Sequence, residues 1–125
     1  MKRNAINELY KWKDSSDRKP LIMLGARQVG KTWLMQEFAR EAYKNSVYVN
    51  FEDNEILREL FVHDFDIPRI ISAIQWSTGV TIDENTLIIL DEIQEAPRGI
   101  TALKYFAEKA PQYHVIAAGS LLGIA

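Results

Sequence analysis

Two unbroken runs of apolar residues stand out along this chain, and each leads directly into a different kind of polar segment. The runs cover Leu21 to Leu24 and Leu87 to Leu90. Apolar runs of this length are typical of strands that are buried on both faces of a parallel sheet. Another strand is predicted over Tyr113 to Ala118, where Val115 and Ile116 lead into small residues. The pattern therefore predicts three strands of a parallel sheet.

A fourth predicted strand alternates instead of being continuously apolar. Val47, Val49 and Phe51 fall on one of its faces, and Tyr48 and Asn50 fall on the other. Such alternation indicates that apolar residues cover only one face of the strand. We therefore predict that this strand lies at an edge of the sheet.

Apolar residues recur at helical spacing between these strands, which predicts an α/β chain. The predicted helices are one in residues 4–13, one from Trp33 to Ala42, one carrying Ile56, Leu57, Leu60 and Phe61, one that starts at Asp66 and Pro68 and stops at Gly79, and one between Pro97 and Pro111. We expect Asp53 to cap the third of these helices. We also expect Trp33 and Phe38 to be core contacts and Ile100 to lie on a buried stripe.

Composition and charge fit an ordinary globular domain. The 125 residues are 47% hydrophobic and 26% charged, with a formal net charge of -2. This net charge does not indicate binding to nucleic acid or to an anionic membrane. The locally basic segment 1–19 is interpreted as a solvated face, and the alternative is that it contacts a nucleic acid or an acidic partner. The lack of cysteine excludes a disulfide framework and a thiolate metal site. We expect a cytoplasmic domain without an export signal or membrane span.

Residues 25–32 spell Gly-Ala-Arg-Gln-Val-Gly-Lys-Thr, the pattern G-x-x-x-x-G-K-T. The octet lies between a predicted strand and a predicted helix, which is the context of a phosphate-binding loop. Its glycines let backbone N–H groups converge on a polyphosphate at the positive end of the helix. Lys31 supplies a charge for the β- and γ-phosphates, and the Thr32 hydroxyl suits Mg²⁺. The alternative is a glycine-rich turn that merely joins a strand to a helix.

Asp91 and Glu92 follow directly after the apolar run Leu87 to Leu90. Open α/β sheets bind ligands at the carboxyl ends of their strands. We therefore expect Asp91 to meet the Mg²⁺ shell and Glu92 to act as a general base on a water aimed at the γ-phosphate. The alternative is that a strand simply ends in charged residues.

Ser120 follows Gly119 at the end of the last predicted strand. Small residues suit a crowded strand beside the phosphate loop, which would bring Ser120 to the same rim of the sheet as Lys31 and Asp91. From there its hydroxyl would hydrogen-bond the γ-phosphate or the attacking water. Taken alone, the Gly-Ser pair indicates only a turn.

Three of these stretches, GARQVGKT, LIILDEIQ and VIAAGS, resemble the Walker A, Walker B and sensor-1 motifs of an AAA+ ATPase. More closely, GARQVGKTWLM, YVNFED, LIILDEIQ and AAGSLLG are similar to the prokaryotic AAA-type ATP-binding proteins that continue into a C-terminal domain of uncertain role. The resemblance runs from about residue 20 to the last residue. It implies a three-layer P-loop NTPase sandwich, with a parallel sheet of order 5-1-4-3-2 whose fifth strand is absent from this chain.

The resemblance also divides the chain and assigns its site. Residues 1–19 form an N-terminal helix and lead-in, and residues 20–125 form a truncated nucleotide-binding core. The implied ligands are ATP or ADP and Mg²⁺. The implied nucleotide-binding positions are Gly25, Ala26, Arg27, Gln28, Val29, Gly30, Lys31, Thr32 and Trp33, the implied metal positions are Thr32 and Asp91, and the implied catalytic positions are Glu92, Lys31 and Ser120.

Some structural elements of the family would lie beyond residue 125. These are the fifth strand, a helical lid with a second sensor, and the arginine finger. Without a fifth strand, the edge at Leu21 to Leu24 stays open unless the N-terminal segment covers it. An arginine finger contributes about 10³–10⁵ in turnover, so we expect slow hydrolysis by this chain. Arg27 and Arg98 are the candidate substitutes for it.

The sequence leaves three functions open. The first is a Mg²⁺-dependent ATPase, for which the resemblance implies self-association. The second is a nucleotide-dependent binding or switch module without appreciable turnover, with a nucleic acid or protein partner bound through the C-terminal region. The third is a small-molecule P-loop kinase, which is less favoured because no segment offers the paired arginines of a mobile lid.

Overall fold

A computed structural model describes residues 2–25 and 30–120 of the chain, in which helices and strands alternate. The elements are α1 (Lys2–Asp14), β1 (Leu21–Gly25), α2 (Lys31–Ala42), β2 (Asn45–Asn50), α3 (Glu55–Arg58), α4 (Ile67–Thr78), β3 (Thr86–Asp91), α5 (Gly99–Lys109) and β4 (His114–Ser120), with a single 3₁₀ turn over Ile93–Glu95 between β3 and α5. None of the helices in these ranges is long and apolar enough to cross a bilayer.

The four strands form one parallel sheet of order β1-β4-β3-β2. This order confirms the predicted arrangement, in which the last strand inserts between the first and the third. Consecutive strands are joined by crossovers that contain a helix, as parallel pairing requires. All carboxyl ends therefore lie at one edge of the sheet, where Gly25 pairs with Ser120 and Asn50 pairs with Asp91.

Each face of the sheet carries its own hydrophobic core, which follows from the alternation of side chains along β3. Ile88 and Leu90 belong to the core under α3, α4 and α5, whereas Leu87 and Ile89 belong to the core under α1 and α2. Because both faces are covered, every residue of β3 is buried. The result is the three-layer α/β sandwich that the sequence predicts.

Strands β1 and β2 form the two edges of the sheet. In β2, Val47 and Val49 are buried, while Tyr48 and Asn50 are only half-buried. This confirms that the alternating strand lies at an edge. In β1 no residue is fully buried and the side chain of Leu24 is 48% exposed, so the prediction that this strand is buried on both faces was wrong. Among the described residues β1 pairs with β4 alone, so its outer side carries unpaired backbone groups.

An aromatic cluster joins the N-terminal segment to the sheet at the end opposite the carboxyl edge. The Tyr43 hydroxyl lies 2.6 Å from Nδ1 of His114, and the Trp12 ring packs edge-on against the same imidazole. The indole N–H of Trp12 donates to the carbonyl oxygen of Lys19 at 2.7 Å. Burial lowers the pKa of His114 to about 4, since the charged imidazolium is poorly solvated there. The cluster therefore depends on a neutral histidine.

Helix α4 follows the predicted boundary chemistry. The Asp66 carboxylate accepts from the backbone N–H of Arg69, Pro68 lies in the first turn, and Gly79 ends the helix with φ of 74°. Glycine adopts this left-handed conformation without the steric cost that a Cβ imposes.

Several other local predictions were wrong. Asn54, not Asp53, caps α3: its side chain accepts from the backbone N–H of Leu57. Helix α3 is a single turn that ends at Arg58, so Leu60 and Phe61 lie beyond it, and Ile56 is 83% exposed. Trp33 is 46% exposed, because it falls outside the stripe of α2 that buries Met35, Phe38 and Ala39. Ile100 is 41% exposed, because α5 turns Gly99, Ala102, Leu103 and Phe106 to the core instead.

Candidate functional site

The carboxyl ends of β1, β4 and β3 meet the N-terminus of α2 at one rim of the sheet. Helix α2 begins at Lys31, directly after Gly30, whose φ of 77° lies in the left-handed region. A residue with a side chain is strained in that conformation, which accounts for glycine there. The backbone N–H groups of the first helical turn have no partner within the helix, so this end is suited to bind an anion.

Lys31 reaches back across this rim to the ends of two strands. Its ammonium group donates to the carbonyl oxygen of Gly25 at 3.0 Å and to that of Gly119 at 3.1 Å. Gly25 is the last residue of β1, and Gly119 is the residue before the end of β4. The charge of Lys31 is therefore held over the point where the predicted phosphate loop leaves the sheet.

Asp91 is the buried charge of the site, with only 3% of its surface exposed. Its Oδ2 accepts from the Thr32 hydroxyl at 2.6 Å and from the Tyr48 hydroxyl at 2.6 Å. Its Oδ1 accepts from the backbone N–H of Glu92 at 3.0 Å. A buried carboxylate requires such donors, because an unsolvated charge without them is very costly. The three bonds therefore fix the direction in which the carboxylate points.

Tyr48 is a site residue that sequence reasoning missed. The alternation along β2 predicts only that Tyr48 lies on the less covered face of an edge strand, and its contact with Asp91 depends on the pairing of β2 with β3. Burial raises the pKa of Tyr48 well above its usual range, and the hydrogen bond to the Asp91 carboxylate raises it further. The phenol is therefore a stable donor at neutral pH.

Glu92 lies one residue beyond β3, at a sharp change of chain direction. Its φ of 51° and ψ of 49° are left-handed values that non-glycine residues rarely adopt. The Gln94 side chain donates to Oε1 of Glu92 at 2.8 Å. Such strained backbone often occurs at functional sites, where the surrounding structure must maintain it.

Ser120 ends β4 beside Gly25, and it is 2% exposed. The structure thus brings it to the rim that carries Lys31 and Asp91, as the sequence suggested, although Ser120 is the last residue of the strand and not part of a turn. Its backbone N–H donates to Oε1 of Gln94 at 3.2 Å. Sequence reasoning missed Gln94 because no local pattern reveals a contact with a residue 26 positions away.

Not every predicted site residue can be located at this rim. Ala26, Arg27, Gln28 and Val29 lie outside the described residues. Arg98 lies elsewhere: its guanidinium group donates to the carbonyl oxygen of Val62 at 2.6 Å and stacks over the Phe65 ring at 4.2 Å. These contacts hold Arg98 against the α3–α4 connection, so it does not face the rim.

The donor set suits a magnesium ion that a polyphosphate also binds. Within residues 2–25 and 30–120, no group of three or more His, Cys, Asp or Glu side chains is arranged to hold a metal by itself. Mg²⁺ in nucleotide sites instead takes one or two protein oxygens together with phosphate oxygens and water. The adjacent oxygens of Thr32 and Asp91 fit that pattern.

Two solved structures share this fold. The Walker-type ATPase PABY2304 of Pyrococcus abyssi superposes with a TM-score of 0.60 and 14% identity over 95% of this chain. PCH-2 of C. elegans gives a TM-score of 0.54 and 14% identity over 94% of the chain. The chain spans only 45% and 36% of the lengths of these two proteins. No curated protein sequence matches it significantly.

The sequence profile of the AAA domain family matches residues 17–125, which includes all four strands and the rim at their carboxyl ends. The match covers most of the chain, and the fold of both solved structures agrees with it. The chain therefore belongs to the AAA domain family, a family of nucleotide-binding ATPases.

Proposed function

We propose that this chain binds ATP with Mg²⁺ at the carboxyl edge of its sheet and hydrolyses it slowly to ADP and phosphate. The observation that carries the proposal is the hydrogen bond between the Thr32 hydroxyl and the buried Asp91 carboxylate, beside the ammonium group of Lys31. It joins two oxygen ligands and one mobile cation at the start of a helix, as a nucleotide site requires.

Lys31 and the first turn of α2 bind the phosphates in this proposal. In the structure the Lys31 ammonium group is hydrogen-bonded to the carbonyl oxygens of Gly25 and Gly119. The triphosphate carries far more negative charge than two carbonyl dipoles, so the ammonium group turns toward the β- and γ-phosphates when ATP binds. The long flexible stem of lysine allows this movement with no change in the helix.

Thr32 and Asp91 would hold the magnesium ion, which when bound neutralises charge on the β- and γ-phosphate oxygens. Asp91 contributes a carboxylate whose orientation is fixed by Tyr48 and by the backbone of Glu92. Thr32 presents its hydroxyl oxygen from the first turn of α2. Neither side chain has to find its place on binding, which limits the entropy lost.

Glu92 is the proposed general base. It accepts a proton from the water that attacks the γ-phosphorus while the bond to the β–γ bridging oxygen breaks, so that ADP and inorganic phosphate leave. Ser120 supports this step through its hydroxyl, which hydrogen-bonds the γ-phosphate or the attacking water. Slow turnover is expected because Arg98 is engaged with Val62 and Phe65 and supplies no charge to the phosphate.

The same observation about Arg98 favours a second candidate, in which ATP acts as a switch for a partner contact and turnover by this chain is negligible. Self-association would distinguish the two, because a neighbouring copy is the usual source of a completing residue in an oligomeric ATPase. Turnover per molecule would then rise with protein concentration.

The test is Mg²⁺-dependent release of phosphate from ATP, measured with protein in excess over a range of protein concentrations. We expect the Glu92→Gln variant to bind ATP but to release phosphate at least about tenfold more slowly. Glu95→Gln, a neighbouring carboxylate in the 3₁₀ turn, is the matched control and should behave as wild type. Equal rates for wild type and Glu92→Gln would remove Glu92 from the mechanism. Bound ATP without turnover would favour the switch.

A further inference from the structure

Strands β3 and β4 stop pairing before β4 ends. Their register runs from the pair of Leu87 with His114 to the pair of Leu90 with Ala117. Beyond this point β4 continues to Ser120, while the chain after Asp91 turns away through the left-handed residue Glu92. The end of β4 therefore meets the 3₁₀ turn Ile93–Glu95 instead of a neighbouring strand.

The side-chain amide of Gln94 bridges this gap. Its Oε1 accepts from the backbone N–H of Ser120 at 3.2 Å, and its Nε2 donates to Oε1 of Glu92 at 2.8 Å. Only one orientation of the amide serves both neighbours, because a backbone N–H needs an acceptor and a carboxylate needs a donor. A rotated amide would set N–H against N–H and oxygen against oxygen. Both neighbours therefore fix the amide orientation.

We propose that Gln94 is a positioning residue, which holds the Glu92 carboxylate at a fixed place relative to Ser120 at the end of β4. The inference rests on the proposed function, in which Glu92 is the general base. It adds Gln94, the last residue of the stretch LIILDEIQ, to which the sequence analysis gives no role. Gln94 itself touches no reacting atom in this scheme, and it acts only through the position of Glu92.

The physical need for such a residue is clear from the backbone of Glu92. A glutamate side chain has several rotatable bonds, and here it extends from a residue whose own conformation is uncommon. A base displaced by about 1 Å loses on the order of 10²-fold in rate. The amide of Gln94 ties the carboxylate to β4, which is paired with β1 at the origin of the predicted phosphate loop.

The decisive variant is Gln94→Glu, because it separates the two hydrogen bonds of the amide. A carboxylate at position 94 still accepts from the backbone N–H of Ser120, but it repels the carboxylate of Glu92. We expect the single-turnover rate of ATP hydrolysis to fall about tenfold to a hundredfold, while the dissociation constant of Mg-ATP stays within about twofold of wild type. Gln112→Glu, the same charge change at an exposed glutamine, is the matched control and should leave both values unchanged.

A cycle with Glu92→Gln tests whether Gln94 acts through Glu92. In the Glu92→Gln background, Gln94→Glu should cause no further loss of rate, because the base is already absent. The double variant also restores an amide–carboxylate hydrogen bond with the roles exchanged, so its urea midpoint should exceed that of Gln94→Glu alone. If Gln94→Glu does not fold, Gln94→Met takes its place and should lower the rate by a similar factor without adding charge.

The outcomes separate this inference from the proposed function. A wild-type rate in Gln94→Glu or Gln94→Met, with Glu92→Gln inactive, would overturn the role of Gln94 and leave the function intact. A further loss of rate in the Glu92→Gln background would also overturn it, because the effect would then bypass Glu92. Equal rates for wild type and Glu92→Gln would instead refute the proposed function, and the positioning role would fall with it.

Discussion

Removing the hydroxyl of Tyr48 is the sharpest structural perturbation that the site offers. The substitution Tyr48→Phe keeps the ring and deletes one donor to Oδ2 of Asp91, at a distance of 2.6 Å. Asp91 keeps the Thr32 hydroxyl and the backbone N–H of Glu92. Because Asp91 is 3% exposed, the lost donor is hard for water to replace on the carboxylate side.

The expected cost follows from the charge of the acceptor. A hydrogen bond to a charged group contributes about 1.5–3 kcal/mol, against about 1 kcal/mol for a neutral pair. Tyr48 itself is half-buried, so some water can approach the vacated position. We therefore expect Tyr48→Phe to lower the free energy of unfolding by about 1–2 kcal/mol.

The assay is urea unfolding at pH 7, with the free energy taken from the midpoint at an unchanged m-value. Tyr105→Phe is the matched control. The Tyr105 ring stacks on Phe65 at 4.4 Å, and its hydroxyl has no hydrogen-bond partner in the described part of the chain. The control should change stability by less than about 0.5 kcal/mol. In an Asp91→Asn background, which removes the charge, the cost of Tyr48→Phe should shrink to about that of a neutral pair.

Two results would refute this reasoning. If Tyr48→Phe and Tyr105→Phe cost the same, the short hydrogen bond to Asp91 contributes nothing beyond a surface hydroxyl. If the cost of Tyr48→Phe is as large with asparagine at position 91 as with aspartate, then the effect comes from ring packing and not from support of a buried charge.

Three further predictions concern the frame of the fold. The folded-state pKa of His114 is about 4 against an ordinary 6.5, so the unfolded chain binds the extra proton, and stability that is complete above pH 6.5 is lost as pH falls toward 4. Because His114 is partly exposed, we expect this loss in the free energy of unfolding to be about 1–2 kcal/mol. His114→Gln should remove this contribution from the pH dependence of urea unfolding, whereas His63→Gln, at an exposed site, should leave it in place. Asn54→Ala should cost about 1 kcal/mol by chemical denaturation and Asp53→Ala much less, since only Asn54 caps α3; equal costs would contradict the assignment. Leu90→Ala should lower the free energy of unfolding by about 2–5 kcal/mol in the same measurement. A loss below about 1 kcal/mol would contradict a tightly packed core around Leu90, because the neighbouring side chains would then have filled the cavity.

The positions of β2 and β3 within the sheet were predictable because the burial of a strand leaves a strong signal in its sequence. Leu87 to Leu90 is continuously apolar since both of its faces are covered, and β2 alternates since it lies at an edge. The family resemblance then supplied the order of strands that pattern alone left open. The position of Asp91 at the carboxyl edge followed from these strands, because every parallel strand ends at the same side.

The wrong predictions concern short segments, where the sequence signal is weak. Asp53 and Asn54 are both good capping residues, and only the geometry of the turn after Phe51 selects between them. Ile100 and Trp33 lie near the first turns of their helices. At a helix end a rotation by one residue moves a side chain by about 100°, so an apolar side chain there is easily assigned to the wrong face.

The two missed site residues show a different limit. Tyr48 and Gln94 contact residues that are 43 and 26 positions away along the chain. Each contact exists because strand register and the turn after Glu92 bring distant segments within 3.2 Å or less. Both residues lie in stretches that resemble the family, YVNFED and LIILDEIQ, but the local pattern does not show which distant residue each side chain contacts.

The most direct test of the central claim is calorimetric binding of Mg-ATP to the wild-type chain and to Lys31→Ala. The exposed Lys44→Ala variant is the control for loss of a positive charge. The account predicts that the wild type and Lys44→Ala bind Mg-ATP with the same affinity. Lys31→Ala should bind at least about tenfold more weakly, a difference of about 1.4 kcal/mol in binding free energy. Chelation of Mg²⁺ should lower the affinity of the wild type for ATP. Absence of binding by the folded wild type, or equal affinities for wild type and Lys31→Ala, would contradict a nucleotide site at this rim.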